Sequence, residues 1–187
     1  YWNGYDLLGQ NFPIGFGLFL QLLLGSIILL YVSGAESNSN KKKFVLIGYT
    51  LFFSAMSYSY FAGKSVLFLL TWEFTSYAAL LIYSPIPLKR FNASSIASLL
   101  SVSGISMVTL SAWIFTKDPI LGSYFLLAGL LIKSGFSGLH VWLPELYAGA
   151  PPHIVAAFSG IMENLPIILF AHYIAPIWSE LGIGKYL

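Results

Sequence analysis

The stretch Ile120-Leu-Gly-Ser-Tyr-Phe-Leu-Leu-Ala-Gly-Leu-Leu-Ile-Lys133-Ser-Gly-Phe-Ser-Gly-Leu-His140 decides what kind of protein this is. Between Ile120 and Leu139 its only charge is Lys133. An apolar run of ~20 residues is what a helix needs to cross a ~30 Å hydrocarbon layer. An ammonium at that depth costs roughly 3 kcal/mol on insertion scales, so such a residue is held by a partner, a wet cavity or a function. Gly135 and Gly138 follow the lysine and weaken the helix there, so an interruption is expected near Gly135–Gly138. Beyond it comes His140-Val-Trp-Leu-Pro-Glu-Leu-Tyr-Ala-Gly-Ala-Pro-Pro152.

The rest of the chain agrees with a lipid solvent. Hydrophobic residues make up 57% of the 187 and charged ones 9%, and the mean hydropathy is +0.78. Soluble domains carry about 25% charged residues. A net charge of +2 without a basic patch excludes nucleic acid as a partner. The absence of cysteine excludes disulfides, thiolate metal sites, iron–sulfur clusters and thiol catalysis. The fold class is all-α membrane protein, a single helical bundle over 1–187, and its partners include membrane lipids.

Six spans are expected, at about 13–33, 44–62, 65–83, 95–115, 120–138 and 152–175. They are separated by polar breaks around Lys41–Lys43, Gly63, Pro85–Arg90, Lys117–Pro119 and the segment before Pro152. Ser94 or Ser95 is the candidate N-cap of the fourth span. Lys41, Lys42, Lys43, Lys89 and Arg90 fall on one side, and Lys64, Lys117 and Lys185 on the other. The positive-inside rule places the first set in the cytoplasm or matrix.

Three ionisable residues lie at lipid depth. Glu73, in Thr71-Trp-Glu-Phe-Thr-Ser-Tyr77, and Lys133 keep their charges most easily as a pair. The bland form of that pair is a structural bridge between helices, and the functional form is a proton site. Glu163-Asn164 lies just before Pro166, which lacks an N–H and clashes with the Met162 carbonyl. The helix is expected to kink there, with acid, amide and freed carbonyl grouped to hold water. His140 is the candidate link to the inner surface, because histidine titrates near neutral pH. A histidine at a helix end also serves simply as a hydrogen-bonding anchor. No dinucleotide glycine fingerprint, phosphate loop or metal-ligand spacing is present, so no cofactor is expected.

Lys133 followed by His140-Val-Trp-Leu-Pro-Glu145 and Gly149-Ala-Pro151, with Trp72-Glu73 two helices earlier, resembles the antiporter-like membrane subunits of respiratory complex I. Mrp-type cation/proton antiporter subunits and membrane-bound hydrogenase subunits share these features. Tyr147-Ala-Gly-Ala-Pro151 is most similar to NADH dehydrogenase subunit 2. His153-Ile and Ser159-Gly-Ile-Met162 are more similar to the hydrogenase and subunit 4 branches. The resemblance covers about residues 44–175.

It implies a proton-handling Glu73–Lys133 pair in a half-channel, on a chain that binds no NADH, flavin or quinone itself. It also implies other membrane-arm subunits of complex I as partners and a mitochondrial inner membrane, or a bacterial or archaeal plasma membrane, as location. Two residues depart from the family: Gly138 stands where proline is usual, and Glu163-Asn164 where a lysine is common. A second inverted half, of about five helices, is also expected of such subunits. The chain therefore reads as the N-terminal half: a fragment, a split subunit with another polypeptide supplying the C-terminal half, or a shortened subunit that has lost pumping. The rival readings are a cation/proton antiporter or hydrogenase subunit, and a scaffold subunit that has lost pumping.

Overall fold

A computed structural model describes residues 4–36, 38–83, 93–136, 140, 142–148 and 150–175, without the side chains of residues 4–11, 93, 95 and 145. The described residues are helical, with no strand among them. Helix α1 is Gly4–Ala35, α2 Ser39–Phe61, α3 Val66–Tyr83, α4 Ala93–Phe115, α5 Pro119–Lys133 and α6 Trp142–Tyr147. Helix α7, Pro152–Ile174, contains two π turns. Five of these helices (α1, α2, α3, α4 and α7) are long and apolar enough to span a bilayer, and α5 is shorter. The chain is an integral membrane protein.

Local chemistry sets the boundaries. Asn38 caps α2 by accepting from the backbone N–H groups of Asn40 and Lys41. Asp118 does the same for α5, with Pro119 in its first turn. The tight α2–α3 turn uses Gly63 at φ +59°. Helix α4 already runs from Ala93, so Ser94 and Ser95 lie inside its first turn rather than capping it. The loop over 84–92 lies outside the described residues.

The fifth span departs most from the sequence expectation. It ends at Lys133 instead of running to 138, because Ser134 closes the helix and Gly135 turns left-handed at φ +65°. Gly138 lies outside the described residues. Fifteen helical residues rise only about 22 Å, less than the ~30 Å hydrocarbon thickness. The short helix α6, unanticipated because its Pro144 and flanking glycines read as loop, begins soon after the break. It packs against α4.

The six longer helices close into a ring: α1 on α2, α2 on α3, α3 on α4, α4 on α5, α5 on α7, and α7 back on α1. Aromatic and aliphatic side chains fill the centre, with Tyr49, Phe52, Phe68, Trp72 and Phe158 all inaccessible or nearly so. The outer face of α1 presents Phe12, Phe16, Phe19, Leu22 and Leu30 outward, as a lipid-facing helix does. Between α2 and α3 close approach depends on Gly48, where a Cβ would lie 2.8 Å from Ile82 Cγ1 and 3.1 Å from the Ile82 backbone nitrogen. Gly48→Leu should force these helices apart and cost about 1–3 kcal/mol, visible as a lowered melting temperature in detergent.

Candidate functional site

Three helices bring hydroxyls and charges to one buried point. Glu73 and Ser76 are three residues apart on α3, so they share a face. Ser103 and Ser106 have the same spacing on α4. Lys133 is the last residue of α5 and is 2% exposed, while Ser76, Ser103 and Ser106 are fully buried. The Lys133 ammonium donates to Ser76 Oγ and, at 2.7 Å, to Ser103 Oγ. The two serine hydroxyls are 2.7 Å apart. Ser103 donates at 2.7 Å to Glu73 Oε2. Carboxylate and ammonium are thus joined through one hydroxyl rather than by direct contact.

The surroundings hold this group in place. The Trp72 ring lies 6.0 Å from Lys133 Nζ, where its face favours a cation. The Trp72 indole donates to Ser106 Oγ at 3.3 Å, and Ser106 donates to the Gly129 carbonyl at 2.9 Å. A Cβ on Gly129 would lie 2.7 Å from Leu110 Cγ, so glycine there lets α5 approach α4 closely. No fully buried side-chain nitrogen or oxygen of this group lacks a hydrogen-bond partner. Sequence reasoning missed Ser76, Ser103 and Ser106. The only signal was the three-residue spacing, common on serine-rich helices.

The other candidate residues go elsewhere. Tyr147 on α6 donates to Glu163 Oε1. Asn164 Nδ2 donates to the Gly160 carbonyl at 2.8 Å. Acid and amide therefore face different protein partners. Near Pro166 the ladder slips into a π turn over Phe158–Met162, with the Glu163 N–H donating to the Phe158 carbonyl at 2.9 Å. Such a bulge absorbs the register conflict that proline creates. His140 is exposed, and its carbonyl accepts from Leu143 N–H at 3.0 Å as α6 begins. His153 Nδ1 is 2.7 Å from the Tyr49 hydroxyl, a contact between α7 and α2. The Tyr83 hydroxyl donates to the Leu146 carbonyl at 3.2 Å and ties α6 to α3. Among the described residues no three His, Asp or Glu side chains group as metal ligands.

Lys133 is thus a buried lysine at a helix end, linked through Ser103 to a carboxylate two helices earlier. Residues 93–183 match the family model described as NADH:quinone oxidoreductase/Mrp antiporter, transmembrane. Findings and motifs together support the antiporter-like family. The chain is 30% identical over 97 residues to NADH-quinone oxidoreductase subunit N of Anaplasma phagocytophilum, covering 45% of this chain and 21% of that protein. It is 34% identical over 84 residues to the subunit of the same name from Parvibaculum lavamentivorans, covering 45% of this chain and 15% of that one. The chain thus covers well under two thirds of the length of these relatives. No solved structure matches it.

Proposed function

We propose that this chain is a proton-translocating membrane-arm subunit of NADH:ubiquinone oxidoreductase, similar to subunit 2, in which Glu73 and Lys133 form the proton-handling pair. The observation that carries the reading is Lys133: an ammonium 2% exposed, at a helix end, with hydroxyls leading to a carboxylate. A purely structural bridge gains little net stability from such burial, because desolvating two charges offsets most of their attraction. Proton exchange makes use of what burial costs.

The mechanism follows from electrostatics in a low-dielectric interior. With Glu73 ionised and close, the attraction between the two groups favours the charged pair. A neighbouring subunit that draws the carboxylate away, or neutralises it, leaves the ammonium with hydroxyls alone and favours release of the proton. Return of the carboxylate favours reloading. The chain itself does no redox chemistry; the driving push comes from partner subunits that carry it. His140, exposed beyond the break, and Glu163 with Asn164 remain the proposed connections on either side of the pair. The membrane is an energy-coupling one, the mitochondrial inner membrane or a bacterial plasma membrane, and both relatives named above are bacterial.

Purification in mild detergent tests the assembly: NADH-oxidising subunits should accompany the chain. In vesicles of that complex, Glu73→Gln keeps the side-chain shape and removes the charge. It should reduce the proton transport that depends on this subunit by at least ~10-fold. The family description also names Mrp antiporters. Sodium-driven proton movement without an electron donor, and no NADH-oxidising partner, would replace the complex I reading with that one.

A further inference from the structure

We propose that Ser103 is the proton carrier between Lys133 and Glu73, and that the adjacent Ser76 serves only to hold the ammonium. The inference rests on the pair reading above and adds a route to it.

The route follows from counting hydrogens. A serine hydroxyl has one hydrogen to give and two lone pairs to receive. Ser103 gives its hydrogen to Glu73 Oε2, since the ionised carboxylate can only accept. The 2.7 Å contact between the two serines must then be donated by Ser76. Ser103 therefore receives from Lys133 and from Ser76, which fills both lone pairs, and gives to Glu73. Ser76 receives from Lys133 and gives to Ser103. No hydrogen bond joins Ser76 to Glu73, so anything passed through Ser76 must still cross Ser103.

The transfer balances. An N–H bond of the Lys133 ammonium breaks as an O–H bond forms on Ser103. The original Ser103 O–H bond breaks as an O–H bond forms on Glu73 Oε2. The result is a neutral amine, a neutral carboxylic acid and an intact serine whose hydrogen now points at the amine nitrogen. Every atom keeps a hydrogen-bond partner, and the step exchanges two buried charges for none. The reverse step restores both charges. Ser103 reaches neither end without the other: it comes from α4, while the two titrating groups come from α3 and α5. A shift of α4 would open the connection while leaving both charges in place.

The experiment uses vesicles of the assembled complex and compares Ser103→Ala, Ser76→Ala, Ser103→Thr and Lys133→Met. The readout is proton uptake per NADH oxidised, with assembly checked on native gels. The Lys133-dependent part of the uptake should fall at least ~10-fold in Ser103→Ala. It should fall about threefold in Ser76→Ala, which loses one ammonium partner but keeps the route. Ser103→Thr, which keeps the hydroxyl, should recover most of it. Should threonine's extra methyl block assembly, Ser103→Cys replaces it and should give an intermediate uptake. Equal losses at Ser103 and Ser76 without recovery by threonine or cysteine would reduce both serines to packing and overturn the proposal. Parental uptake in Ser103→Ala together with loss in Lys133→Met would overturn the route and spare the pair. Parental uptake in all four would remove the pair reading as well.

Discussion

Lys133→Met should abolish proton transport through this subunit while leaving the helices assembled. Methionine is unbranched, close to lysine in length and apolar, so it can fill the space under Trp72 without a charge. Glu73 is half-buried and keeps its hydrogen bond from Ser103, so the substitution does not leave its carboxyl without a partner. We therefore expect a melting temperature within a few degrees of the parent's and at least a ~100-fold loss of this subunit's transport. Lys133→Ala would confuse the two, since the cavity it leaves adds a packing cost of about 2–5 kcal/mol. Parental proton uptake in a stable Lys133→Met complex would end the proton-pair reading.

The second large effect is expected at Gly135. Its φ of +65° is one that side chains with a Cβ adopt at a cost of about 1–2 kcal/mol. A Cβ here would also run into the Leu143 side chain, with Leu143 Cγ at 3.2 Å, so Gly135→Val both strains the turn and forces this α6 side chain to move. Together these should cost at least ~3 kcal/mol. Thermal denaturation in detergent should show a drop of several degrees or a loss of recoverable protein, and proton transport should fall with it. A Gly135→Val protein as stable as the parent would mean that the left-handed turn after Lys133 tolerates a side chain.

Much of the architecture was legible in residue order because a bilayer imposes a simple rule. A segment must be apolar over the thickness it crosses, and that property is local. The polar breaks at Asn38, Gly63 and Asp118 were equally local, since caps and tight turns are made by neighbours. The end of α5 was harder. Two glycines marked a weak region, but composition does not say which of them turns left-handed, and the helix stopped at Lys133, five residues before the expected limit. Helix α6 was hidden for a similar reason: six residues around a proline have little intrinsic helical signal, and packing against α4 supplies the rest.

The same division runs through the site. Glu73 and Lys133 were visible because a charge in an apolar run is costly wherever it sits. The fate of Glu163 and Asn164 was not, because their partners, Tyr147 and the Gly160 carbonyl, depend on how α6 and the π turn of α7 are placed. Helix α4 carries Ser94, Ser95, Ser98, Ser101, Ser103, Ser106 and Ser111, and nothing in their order distinguishes one from another. Residue order alone thus determined a helical membrane protein with two opposite charges to reconcile, since solvation by lipid acts on each segment separately. Tertiary structure alone decided that one serine from the intervening helix stands between those charges, since a hydroxyl acquires its role only from what the neighbouring helices bring within hydrogen-bond reach.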